Sequence, residues 1–130
     1  MAERKRTPLR GEIWFVQLPT DPPEKNRRPV VIVSTDERNR HEKANTVLVA
    51  PLTTTIHKNV PTHIQLSPGE TGLDLSCVRA EDVTVVRKAA LSEPQRGLRI
   101  LSHSRICQIA DALKIAMGCN PEKAESTSKS

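Results

Sequence analysis

Two arginines, Arg27 and Arg28, stand immediately before the run Pro29-Val30-Val31-Ile32-Val33-Ser34, and three threonines, Thr53, Thr54 and Thr55, follow the run Thr46-Val47-Leu48-Val49-Ala50-Pro51-Leu52. A guanidinium is a fixed cation whose planar fork matches the oxygens of a phosphate, and a threonine hydroxyl can donate to a further oxygen. Held at the mouth of a strand, such a cation neutralises the extra negative charge of a pentacoordinate phosphorus, while the hydroxyl contacts a non-bridging oxygen or orients a ribose 2′-OH. The chemistry suggested is on the phosphodiesters of nucleic acid. Arg-Pro before a strand and threonine at a strand end are each common, so placement carries the argument. Adjacent strands that end at the same edge bring Arg28 and Thr53 together.

Candidates for proton transfer are more scattered. His41, His57, His63 and His103 are each able to act as acid or base, and His57 lies just after the threonines. Glu24 can serve as a base if the loop before Arg28 folds over the site, and Asp82 can do so from a strand. Lys25, Arg27 and Lys58 add positive charge on either side, suited to an RNA backbone. Cys77, Cys107 and Cys119 are odd in number and show no C-x-x-C spacing, so the pattern supports neither a disulfide framework nor zinc. Cys77 alternates within a strand and Cys107 falls near the apolar face of a helix, which makes both small core residues. No metal or other cofactor is expected.

The charge balance agrees with a polyanionic partner. The net charge is +5, and Arg4-Lys5-Arg6 concentrates part of it near the start of the chain. The only aromatic residues of the Phe, Trp and Tyr group are Trp14 and Phe15, which argues against stacking platforms for single-stranded bases. Recognition would rest on arginine planes, backbone groups and hydrogen bonds. No apolar run approaches the roughly 20 residues of a membrane span. The basic start leads into Thr7-Pro8-Leu9-Arg10-Gly11 rather than an apolar signal core, so a cytoplasmic protein is expected.

The elements that must position these residues are short. The reading is a basic tail over 1–9, one domain over 10–118 and a polar tail over 119–130. Ile13 to Leu18 reads as a strand, and Pro19 to Arg27 as a mobile loop, because Pro22 and Pro23 cannot donate to a ladder. Val30 to Val33 suits a strand buried on both faces, with Pro29 at its first position and Arg28 at its mouth. Asp36 to Asn45 is polar, a short helix or a loop. Thr46 to Leu52 is another strand, in which Pro51 implies an edge or a bulge. His63 to Leu66 alternates, Pro68 to Gly72 carries turn signals, and Cys77 to Val86 supplies at least one more strand. Ile106, Ile109, Ala110, Leu113, Ala116 and Met117 then follow helical spacing, with Ser102 or Ser104 as N-cap and Gly118 as the stop. Strands followed by one closing helix describe an α+β, mainly β domain, a small curled sheet or barrel.

The order Arg10-Gly11-Glu12-Ile13-Trp14, Arg28-Pro29-Val30-Val31-Ile32-Val33-Ser34, Val49-Ala50-Pro51-Leu52-Thr53 and Pro61-Thr62-His63-Ile64 resembles the MazF/PemK family of toxin endoribonucleases, with a matching terminal helix up to Gly118. The resemblance implies a small SH3-like barrel of five to seven short antiparallel strands with a C-terminal helix, usually a homodimer. It also implies metal-independent cleavage of single-stranded RNA (mRNA) at a short sequence, blocked by a cognate antitoxin, for which an acidic inhibitory segment is expected. The family's arginine falls on Arg28, which would transfer a proton and stabilise charge. Its threonine falls on Thr53, which would stabilise the phosphate. Glu24, Thr54 and His63 are the candidates to assist. In the family's scheme the 2′-OH attacks the adjacent phosphorus, leaving a 2′,3′-cyclic phosphate and a 5′-OH.

Two departures stand out. The loop before Arg28 lacks the family's usual glycine, and Asp82-Val83-Thr84 stands where a Gln-hydrophobic-Arg stretch is common. Both Asp82 and Thr84 weaken the local positive field, so they are expected to contact RNA and alter which sequence is chosen. Two other functions suit the same barrel. One is a gyrase poison like CcdB, which works through its terminal helix without chemistry. The other is a non-catalytic RNA-binding barrel.

Overall fold

The computed structural model describes residues 6–24, 26–94 and 97–119. The expected tails lie mostly outside the described residues. Arg6, assigned by sequence to the basic tail, packs on the domain: its guanidinium lies 5.2 Å from the centre of the Trp14 ring and 2.6 Å from Glu12 Oε2.

Six strands form one antiparallel sheet in the order β1 (Ile13–Val16), β2 (Arg28–Ile32), β3 (Thr46–Thr53), β5 (Ser76–Arg79), β4 (His63–Leu66), while β6 (Thr84–Arg87) pairs with the first half of β3. The mainly β, α+β class is as expected. The barrel is not: β1 and β4 end the path without pairing to each other, so the sheet is curled but open. Period-two alternation buries both faces of its centre. Ile13, Val31, Ala50 and Leu52 face a cluster covered by Ile106, Ile109 and Ala112 of α3 (His103–Ala116), whereas Trp14, Val30, Ile32, Val47 and Val49 form a second cluster on the opposite face.

Pro51 corrects the expectation of an edge. It lies in the most connected strand, opposite Val30 of β2. On the other side of β3, Thr46 to Val49 pair with β6 and Leu52 and Thr53 pair with β5, so Ala50 and Pro51 fall in the gap between the two ladders. A residue without an N–H is tolerated where one partner leaves and the next has not begun. The partner change comes from the single turn of 3₁₀ helix Ala80–Asp82, which divides the segment Cys77 to Val86 into two strands.

The helices are set by caps. In α1 (Asp36–Arg40) the Thr35 hydroxyl accepts from Arg38 N, and the fully buried Asn39 donates to the Ser34 carbonyl. The turn signals at Pro68 to Gly72 form α2 (Pro68–Thr71), closed by a capping box between Ser67 and Glu70. Ser102 caps α3 by accepting from Arg105 N.

Glu70 also receives Arg105 Nε at 2.7 Å and Nη2 at 3.2 Å, which ties α2 to α3. The Arg105 hydrogen bond is the main cause that holds its carboxyl at about 2 instead of 4.5. A carboxyl depressed on folding stabilises the fold fully above its unfolded value and loses that contribution as pH falls through its folded value. The melting temperature should therefore drop as pH is taken from about 4.5 towards 2, and Arg105→Ala should flatten that part of the profile relative to the parent protein. Partial exposure of the pair limits the effect to about 1 kcal/mol.

Candidate active site

The ladder pairing Val30 with Pro51 and Val31 with Ala50, extended two residues towards the strand ends, sets Arg28 level with Thr53. The mouth of β2 and the end of β3 thus share one edge of the sheet. Both residues line a cavity of about 140 Å³, together with Thr55, His57, Arg79 and Asp82. Thr53 Oγ1 accepts from Thr55 N at 3.2 Å, leaving its own O–H free to donate into the site.

Arg28 borders two further cavities, one with Asp82 and Thr84 and the other with Arg27, Thr53 and Thr54. Its Nη2 lies 3.0 Å from Asp21 Oδ1, a carboxylate only 8% exposed on the β1–β2 loop. Asp21 was not foreseen from sequence. Of the loop from Pro19 to Arg27, the part up to Pro22 is tied by this pair, by Asp21 N donating to Leu18 O, and by Gln17 Nε2 donating to Pro22 O. Fork geometry is aimed as a result, because an arginine pinned on one nitrogen has fewer rotamers than a free one.

Arg79 is the second residue that sequence reasoning missed. It shares the small cavity with Arg28, and its Nε lies 3.4 Å from Asp82 Oδ2 and 3.8 Å from Glu81 Oε2. Burial pushes the Glu81 carboxyl up, but hydrogen bonds from its own N–H and from Thr62, with the charges of His63 and Arg79, hold it below its ordinary 4.5. The edge therefore carries two guanidiniums balanced by three carboxylates, Asp21, Glu81 and Asp82.

The remaining candidates are spread out. His57 borders the Arg28 cavity, whereas His63 is not among its lining residues, its ring centre 6.0 Å from that of His57 and its Nε2 3.6 Å from Glu81 Oε2. His63 and Lys58 line a neighbouring cavity of about 330 Å³ that also includes His57. Glu24 is exposed and is not among the residues lining the three cavities at Arg28. Lys25 lies outside the described residues. Arg27 Nη1 donates to Ala90 O, which draws it to the outer rim. Cys77 is buried, which raises its thiol above the ordinary 9.0, so it is a core residue; Cys107 is half-buried on α3, 3.4 Å from His103 Nε2. Among the described residues, no helix is long and apolar enough to cross a membrane.

An open antiparallel sheet with one covering helix thus carries an arginine and a threonine at one sheet edge, groups suited to hold a phosphodiester. The chain belongs to the PemK-like, MazF-like toxins of type II toxin-antitoxin systems, whose family pattern matches residues 9–117. Over 115 residues it is 33% identical to the endoribonuclease MazF of Staphylococcus epidermidis, covering 85% of this chain and 92% of that protein. Over 114 residues it is 34% identical to the endoribonuclease MazF9 of Mycobacterium tuberculosis, covering 82% and 92%. A mycobacterial endoribonuclease solved in complex with its cognate antitoxin superposes with a TM-score of 0.65 at 28% identity, over 85% of this chain and 95% of that one.

Proposed function

We propose that this toxin is an endoribonuclease that cleaves single-stranded RNA at the cavity shared by Arg28 and Thr53, without a metal. The observation that carries the proposal is the level placement of those two side chains on one wall, with the threonine O–H unspent. An RNA strand brings its own nucleophile. The 2′-OH attacks the adjacent phosphorus, the bond from phosphorus to the 5′-oxygen breaks, and the products are a 2′,3′-cyclic phosphate and a 5′-OH. Holding the attacking and leaving oxygens in line supplies much of the acceleration. The charge that builds on the non-bridging oxygens is met by the Arg28 fork and the Thr53 hydroxyl. Arg79 adds a second cation to the same cavity, and His57, which borders it, is a group able to pass a proton to the leaving oxygen.

The partners follow from the same surface. A cognate antitoxin with an acidic segment would cover Arg28 and the +5 chain, as charge complementarity favours. We further assign the protein to the cytoplasm and to a homodimer, in line with the family it belongs to.

The test is incubation of the purified protein with a long RNA in EDTA, with cut ends mapped by primer extension. Cuts at one short sequence, ending in a cyclic phosphate, are expected. Intact RNA from folded protein would overturn the proposal and return attention to a gyrase poison or a non-catalytic binder.

A further inference from the structure

The largest space beside Arg28 has no part in the cleavage scheme. It measures about 600 Å³ and has apolar walls from Leu18, Pro19, Pro51 and Val83. That is the size and character of a site for a flat ring with a polar edge. Its polar groups are unbalanced towards acceptors. Three carboxylates, Asp21, Glu81 and Asp82, line it with two guanidiniums, Arg28 and Arg79, and the hydroxyls of Thr20 and Thr84, which each bring one donor but also accept. Each arginine is already paired, Arg28 to Asp21 and Arg79 to Asp82 and Glu81. Asp21 Oδ2 is buried with no hydrogen-bond partner among the described residues. Only Oδ2 of Asp82 is engaged there, which leaves Oδ1 for a ligand. A bound phosphate cannot satisfy these oxygens, because it is itself an acceptor. A group that donates can.

Asp82 borders both this cavity and the small one that holds Arg28 and Thr53, so whatever fills the larger space lies next to the scissile phosphate. We infer that the cavity seats the neighbouring nucleobase and that Asp82 accepts a hydrogen bond from its exocyclic amino group, admitting adenine, cytosine or guanine and refusing uracil. Uracil has no amino group, and its one ring N–H is flanked by two carbonyl oxygens that a carboxylate repels. A carboxylate contact to a base amine discriminates by on the order of 10- to 100-fold. The inference rests on the endoribonuclease reading, and it names the substrate feature that the same site selects.

Once the cut is mapped, oligoribonucleotides differing only in the base on either side of it are cleaved in EDTA by the parent protein and by Asp82→Asn. At one flanking position uracil should be cut about 10- to 100-fold more slowly than the other bases. Asp82→Asn, whose amide also donates, should cut the uracil substrate at least as fast as the parent and lose the preference. Equal cleavage of all four bases at both positions, or an unchanged preference in Asp82→Asn, overturns the inference. Should the parent protein leave every RNA intact, the endoribonuclease reading fails, and affinity for oligo-A, oligo-C and oligo-U decides the cavity alone. Weaker oligo-U binding supports it, and equal affinity overturns it.

Discussion

Replacing Arg28 with alanine will lower single-turnover RNA cleavage by about 10³-fold, the scale seen when a charge-stabilising donor or a phosphoryl-transfer arginine is removed. The fold will survive, because Arg28 stands at the first position of β2 and its side chain is outside both hydrophobic clusters. Stability will still fall somewhat. The substitution strands Asp21, whose carboxylate is 8% exposed and has Arg28 as its ion-pair partner. Leaving such an acceptor unpaired costs about 1–3 kcal/mol. Adding Asp21→Asn to Arg28→Ala should recover most of that loss and none of the cleavage, which separates the chemical from the structural role. Arg28→Lys keeps the charge and the tie to Asp21 but loses the fork, so it should melt near the parent temperature and cleave about 10²-fold more slowly. Thermal melts and cleavage rates on the same four proteins decide the matter. Parent-like cleavage by Arg28→Ala would remove the mechanism.

The arginine and threonine were legible in the chain because both stand at strand ends, where β-branched runs with clear borders set the register. Asp21 was not, since its role depends on a long-range contact from a Pro-Pro loop that looks unstructured by composition. Arg79 was hidden for a different reason. Within Cys77 to Val86 an outward-facing charge looks like a solvated strand face, and Ala80-Glu81-Asp82 has no glycine or proline to mark the turn that brings Glu81 and Asp82 against Arg79. The partner switch along β3 is a tertiary property too, and it puts Pro51, expected at an edge or a bulge, in a central strand between two ladders. Asn39 shows the same limit at α1. In an all-polar segment it reads as solvated, yet it is buried because Ser34 offers both a hydroxyl and a carbonyl.

Trp14→Ala should be the most damaging single change to the fold, and it tests how the core supports the site. Trp14 is 1% exposed, packs with Val16, Val30 and Leu91, and donates from Nε1 to Glu12 Oε1 at 3.0 Å. Burial pushes the Glu12 carboxyl up, but bonds from Arg6, Leu9 N and Trp14 hold it below its ordinary 4.5, so the ring also satisfies a buried acceptor. Removing the indole should cost about 3–5 kcal/mol, a large share of the roughly 5–15 kcal/mol that holds a domain together. A fall in melting temperature on the order of 10 °C or more follows, read by circular dichroism because the only tryptophan is gone. Trp14→Phe keeps most of the packing and loses one hydrogen bond, so it should fall between the two. The consequence for cleavage runs through the sheet: β1 pairs Trp14 with Val30 and Val16 with Arg28, so loosening β1 loosens the mouth of β2. Trp14→Ala should therefore lose cleavage in proportion to its unfolded fraction and regain it on cooling. Arg28→Ala should stay folded and inactive at every temperature. If Trp14→Ala were folded at low temperature and still inactive, the edge would depend on the core for its geometry as well as its stability, and the Arg28 comparison would have to be made in Trp14→Phe.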